Sequence, residues 1–453
     1  MAKATSQLSI HSSHEPEQSQ PDVAPRELTS VSTAFLLSGF ILNNASLRSG
    51  LAAGGSALAY FYTVGFLNAF GVFQEYYTSD VLRGKSNFQI SWLGSFALFI
   101  MFAFAPVAGI LADKIGPTLP ITFGSVALLV AMFMISLCRA YWQFFLAQGL
   151  LLGLGMSFTA IPASGMVPRY FKRNRGLATG ITVAGSSLGG IIWPIAFDQM
   201  LHRDGISFPW AMRIAGFVMI PLCIICILTI RLPVQPKRAT EEVEKGSMTE
   251  KTTDKPQEKK DLSVLRKPPF VLLCAGLFLA VFGFFAPLFY VSTYAVSLGM
   301  TPSFAFYLVS IVNAASLFGR VLPGIVADRW GRFNMLVASA FTAGIIVFCW
   351  TAATSVAGLV VWTLAYGFAS GAILSLQIAC ATTLADHSSA GAAVGAVMGS
   401  CSLATLFGTP LAGELVKHGY LALSCFSGAL LLVGACFIAA SRLWQNRSLT
   451  ARI

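Results

Sequence analysis

Twelve continuous apolar stretches, separated by short clusters of charged and turn-forming residues, dominate this sequence. They fall near 51–73, 90–112, 119–138, 143–166, 176–197, 211–230, 269–294, 303–327, 334–354, 356–378, 391–413 and 420–440. A helix needs about 20 apolar residues to cross the hydrocarbon of a bilayer, where no water can satisfy an open backbone. Barrel strands would instead show alternating segments of about 10 residues. The expected fold is therefore an all-α integral membrane protein of twelve transmembrane helices. Composition agrees: 55% of the 453 residues are hydrophobic and 11% charged, whereas a soluble domain carries roughly 25% charged residues.

The polar residues divide the chain. Residues 1–50 form an arm, its first 30 residues rich in Ser, Gln, Glu and Pro, expected to be disordered and cytoplasmic. Spans within 51–230 and 269–440 make two six-helix bundles, joined by a charged linker at 231–268 and followed by a tail at 441–453. With the N-terminus cytoplasmic, the opposite side carries only Arg83, Lys85, Arg139, Arg203, Arg213 and Lys417 of the 30 Lys and Arg. Arg320 lies inside a span and the rest are cytoplasmic, which places both termini inside, with the plasma membrane the expected location. The net charge of +11 thus belongs to loops, and nucleic acid is not an expected partner. The nine cysteines sit in or beside apolar spans, as small packing residues and not as a metal or redox site. No phosphate loop and no G-x-S-x-G is present, so neither an ATP-driven pump nor an enzyme is expected, and no cofactor.

The two halves share a local sequence. Gly109-Ile110-Leu111-Ala112-Asp113-Lys114-Ile115-Gly116 ends the second span of the first half, and Gly324-Ile325-Val326-Ala327-Asp328-Arg329-Trp330-Gly331-Arg332 ends that of the second. The first glycine of each lets two helices approach, and the aspartate suits a helix N-terminus or a cation. The second glycine permits a tight turn. Gly109, Asp113, Lys114, Gly116, Gly324, Asp328, Arg329, Gly331 and Arg332 are therefore the candidate gating residues. This repeated G-x-x-A-D-[RK]-x-G pattern resembles the loop motif of the major facilitator superfamily, which implies two six-helix repeats working by alternating access. Pro117 and Thr118 stand where basic residues are usual, so the first latch is expected to be the weaker.

Within that superfamily the chain resembles the monocarboxylate-porter family, its fungal members in particular. The residues that carry the resemblance are Gly65–Tyr77, Ser91–Ser95, Arg169–Gly180 and Ala184–Gly189. Asn68 stands where lactate-type members have a lysine, and Ser316 stands where they have an aspartate four residues before the arginine, here Arg320. The resemblance implies either an uptake carrier or an exporter of secondary metabolites, and the two departures count against simple lactate–proton symport. The family's Asp-Gly-Gly entry looks begun at Pro21-Asp22 and resumed only at Leu47-Arg48. Residues 23–46 are hence expected to be dispensable, as an unspliced intron in the gene would explain.

Arg320 is the leading substrate-site candidate, because an arginine at membrane depth is costly and by default faces a polar cavity. Its alternative is to snorkel to the headgroups. Ser316 and Asn313 precede it by one and two turns on the same face. Asn68 and Tyr62 on the first span complete the candidate set, with Gln377 leaning towards a helix-to-helix bond. Trp193 and Tyr290 lean towards packing, and Asp386-His387 towards a solvated loop. Pro106, Pro162, Pro194, Pro221, Pro287, Pro323 and Pro410 are candidate kinks. The expected function is secondary transport of a small organic solute, with a coupled proton as an option and export of a secondary metabolite or organic acid first. The alternatives are proton-coupled uptake of a monocarboxylate or a vitamin such as riboflavin, and a non-transporting sensor.

Overall fold

The computed structural model describes residues 47–77, 81–171, 174–231, 262–386, 388–448 and 451–452. The 23–46 stretch, most of the central linker and His387 lie outside the described residues. Among the described residues there are helices and turns and no strand.

The helices in chain order are α1 (Ser49–Gln74), α2 (Phe88–Ile115), α3 (Thr118–Ile135), α4 (Tyr141–Tyr170), α5 (Arg175–Leu201) and α6 (Phe208–Thr229). The second half holds α7 (Pro268–Ser297), α8 (Phe304–Trp330), α9 (Arg332–Phe348), α10 (Val356–Leu384), α11 (Ala390–Val416) and α12 (Tyr420–Gln445). Eleven are long and apolar enough to cross a membrane, and α9 is a shorter apolar helix of 17 residues. Among the described residues helix starts at Leu47, four residues before the expected start of the first span.

The packing repeats. Helix α1 lies against α5 and α6, as α7 lies against α11 and α12; α3 lies against α4 and α6, as α9 lies against α10 and α12. Across the halves, α5 packs on α8 and α11 on α2, the same contact in both directions. Apolar side chains also cover the outside: Leu119, Phe123, Trp210 and Val361 are each more than half exposed. Helices apolar on all faces suit a solvent as apolar as their own core.

The breaks in the helices only partly follow proline. Helix α2 is interrupted at Phe104, just before Pro106. Helix α1 breaks at Thr63, whose hydroxyl bonds back to the Ala59 carbonyl, and again at 68–69. Helix α11 breaks at Cys401. Pro162, Pro194, Pro221, Pro287, Pro323 and Pro410 sit within uninterrupted helix.

Candidate functional site

A cavity lies between the halves, with walls from α1, α2, α4, α5, α7, α8, α10 and α11. Most of its lining is apolar, as bilayer-spanning helices dictate. Phe284, Phe285 and Phe289 of α7 form one wall, with neighbouring ring centroids 5.0 and 5.7 Å apart.

The polar lining is concentrated on α8. Asn313, Ser316 and Arg320 recur at one-turn spacing, and all three line the cavity. Arg320 is 3% exposed and does not snorkel. Its Nη1 donates to the Val183 carbonyl at 2.8 Å and to the Ser186 hydroxyl, both on α5 of the other half. Gly180 makes this reach possible, since a Cβ there would stand 2.3 Å from the Arg320 carbonyl oxygen. Arg320 Nε has no partner, and among the described residues no carboxylate pairs with this guanidinium. A buried cation without a counterion is a large electrostatic cost, and a bound anion would offset it.

Asn68 lines the same cavity and bridges the halves, its Nδ2 donating to Asn313 Oδ1 at 3.2 Å and to the Ser186 carbonyl at 3.4 Å. Gly190 leaves room for this amide pair: a Cβ there would lie 2.5 Å from Asn313 Oδ1. Asn68 is thus both cavity wall and interhelix bond.

Tyr62 is corrected by the structure. It is fully buried away from the cavity, with its hydroxyl 3.4 Å from Ser125 on α3. Tyr60 lines the cavity instead. Two residues apart on a helix is about 200° of rotation, so only one of the pair can face inward. Gln377 also lines the cavity, and the bond it makes is to its own helix, at the Leu374 carbonyl, not to a neighbour. Trp193 packs among Phe61, Phe66 and Phe197, and Tyr290 donates to the Thr409 carbonyl. Sequence reasoning missed Tyr60, Ser186, Ser370 and the α7 phenylalanines. The one available signal was the density of hydroxyl and aromatic residues, which is high on nearly every span.

The repeated loops meet the other half in matching ways. Asp113 accepts from the backbone N–H of Gly391 and Ala392 at 3.1 and 2.7 Å, the first turn of α11. Asp328 accepts from Gly176 and Leu177 at 2.9 and 3.0 Å, the first turn of α5. Neither helix has a side-chain cap of its own at Asn174 or Ser389, so each receives its cap from the other half. Gly109 and Gly324 permit the approach: a Cβ would lie 2.0 Å from the Gly391 carbonyl oxygen and 2.5 Å from that of Gly176. Gly116 and Gly331 turn the chain at φ 89° and 102°, in the left-handed region. Lys114 and Arg329 are exposed. The expected weakness of the first loop does not hold, because Arg169 of α4 pairs with Asp113. Asp328 pairs with Arg332 at 3.3 Å. Both caps join the two halves at this end of the bundle.

Among the described residues no cluster of His, Cys, Asp and Glu could hold a metal, and all nine cysteines are free. The sequence profile of the Major Facilitator Superfamily matches residues 50–409. An MFS-type transporter of Aspergillus fumigatus is 46% identical over 410 residues, covering 89% of this chain and 94% of that protein. The agnestins efflux protein of Paecilomyces divaricatus is 47% identical over 86% of each chain. The aspyridones efflux protein of Emericella nidulans is 37% identical over 85% of this chain and 76% of its own. The crystal structure of the human organic anion transporter TETRAN superposes with a TM-score of 0.65 at 13% identity, covering 87% of this chain and all of that one, a likeness of fold.

Proposed function

The chain belongs to the major facilitator superfamily, and we propose that it exports a small secondary metabolite or organic acid through the central cavity by alternating access. The observation that carries this reading is Arg320, a buried cation with no carboxylate partner among the described residues, in a cavity between two halves. Its guanidinium would hold the solute's negative or polar group, with Asn68, Asn313 and Ser316 beside it. Relatives named for the efflux of agnestins and of aspyridones support the outward direction. The motifs at 65–77, 91–95 and 169–189 support a place in the monocarboxylate-porter branch.

The distribution of Lys and Arg supports a cytoplasmic position for the capped loops and both termini, with the plasma membrane the proposed location. The capped end is then the cytoplasmic one. Among the described residues none lining the cavity is an acid or a histidine, so a coupled proton would travel on the solute.

The test is transport of a fluorescent aromatic acid, 2-naphthoate, into inside-out vesicles from cells expressing the full chain. Wild-type vesicles should accumulate it. Arg320→Ala should abolish accumulation with the amount of protein in the membrane unchanged. A wild-type rate in Arg320→Ala refutes the site.

A further inference from the structure

Two buried groups of the cavity lack partners, and they are of opposite kind: the donor Nε of Arg320 and the acceptor Oε1 of Gln377. Both residues line the cavity, with exposures of 3% and 2%. The Gln377 amide is oriented by a long bond to its own helix. Its Nε2 donates to the Leu374 carbonyl at 3.4 Å, and turning the amide over would set oxygen against oxygen.

The two groups lie on neighbouring helices. A Cβ on Gly367 would meet the Val312 carbonyl, and one on Gly371 would meet Ser316, so α8 and α10 run parallel in fixed register. From the Ser316–Gly371 level, Arg320 lies four residues on and Gln377 six. At 1.5 Å per residue the two Cα atoms are about 3 Å apart along the helix axes by that pair, and about 12 Å by the contact of Gly319 with Phe368, from which they lie one and nine residues on. An unpartnered donor and an unpartnered acceptor each penalise the empty cavity, and one solute that met both would relieve both penalties. The α7 wall of Phe284, Phe285 and Phe289 offers stacking faces to a planar ring. Arg320 is the single formal charge among the described lining residues, which suits a single negative charge.

We propose that the solute is a hydroxylated aromatic monoanion, whose acid group takes Arg320 while a hydroxyl donates to Gln377 Oε1. Gln377 is the residue that selects for the hydroxyl. This rests on the reading of Arg320 as the anion-binding residue and adds the chemical class of the solute. A site that offers a buried acceptor discriminates against an analogue that cannot fill it.

The experiment compares 2-naphthoate with 3-hydroxy-2-naphthoate and 6-hydroxy-2-naphthoate, by calorimetric titration of the purified full-length protein. One hydroxylated isomer should bind the wild type about tenfold tighter than 2-naphthoate, the worth of one hydrogen bond. Gln377→Met, similar in length but without the amide acceptor, should erase that preference, bringing the affinities of the hydroxylated and plain acids to within about twofold of each other. Should Gln377→Met not elute as a single species, Gln377→Ser withdraws the acceptor with a smaller residue and is read in the same way. No preference in the wild type, including no binding at millimolar concentration, overturns the proposal. So does a preference that survives loss of the amide. Arg320→Ala reads the underlying assignment separately. It should weaken all three acids together, and if it weakens none, the Arg320 reading falls while the Gln377 comparison still reports on the hydroxyl.

Discussion

Replacing Asp328 by Asn should open the capped end of the bundle. The carboxylate accepts two backbone N–H bonds from the first turn of α5, at 2.9 and 3.0 Å, and its side chain is 9% exposed. In asparagine one oxygen becomes an NH2 facing an N–H, so one bond is lost and the other becomes neutral. A hydrogen bond to a charged group contributes about 1.5–3 kcal/mol and a neutral one about 1. The closed state should therefore lose about 3 kcal/mol, a shift of roughly a hundredfold towards opening. Hydrogen exchange at the first turns of α5 and α11 reads this directly. If the halves rock as rigid bodies, both turns should exchange faster in Asp328→Asn, and both in Asp113→Asn, because the two caps close one interface. Asp113→Asn should do at least as much harm, since it also strands Arg169, a cation from another helix, whereas the Asp328 cation is one turn away on the next helix. Transport turnover should fall more than solute affinity in both variants. Exchange within twofold of wild type at both turns would refute the caps as closing elements.

Three further outcomes are expected from the geometry. Gly109→Ala would bring a Cβ within 2.0 Å of the Gly391 carbonyl oxygen, so the protein should fold but fail to close the capped end, giving turnover below a tenth of wild type in vesicle assays. Arg320→Lys should retain only a small fraction of transport, because an ammonium lacks the planar fork that serves α5 and the cavity at once, and near-normal rates would contradict that role. Tyr62→Phe should leave transport within about twofold, losing only a long contact to Ser125, while Tyr60→Phe, in the cavity wall, should change solute affinity measured by titration.

Local composition and repetition were enough to make the spans, the paired loops and the buried arginine legible. Each span can be read from its own residues because the bilayer tests every window of about 20 residues without reference to its neighbours. The loops at Asp113 and Asp328 are legible because they occur twice, and their glycines carry the two properties read from them, close approach and positive φ. Arg320 is legible because a charge in an apolar run has few places to go.

Which face of each helix looks inward was settled only by the packing of the bundle. In a water-soluble helix a polar face marks the outside, but these helices are apolar all round because lipid is as apolar as their own packing. Nothing local therefore distinguishes Tyr60, in the cavity wall, from Tyr62, packed against Ser125. The same holds for Gln377, whose neighbours in sequence do not reveal that its carbonyl is left without a donor. The partner of Asp113 was equally hidden. Arg169 lies on another helix, and its meeting with Asp113 is a product of how α2 packs on α4, a property of the assembled bundle.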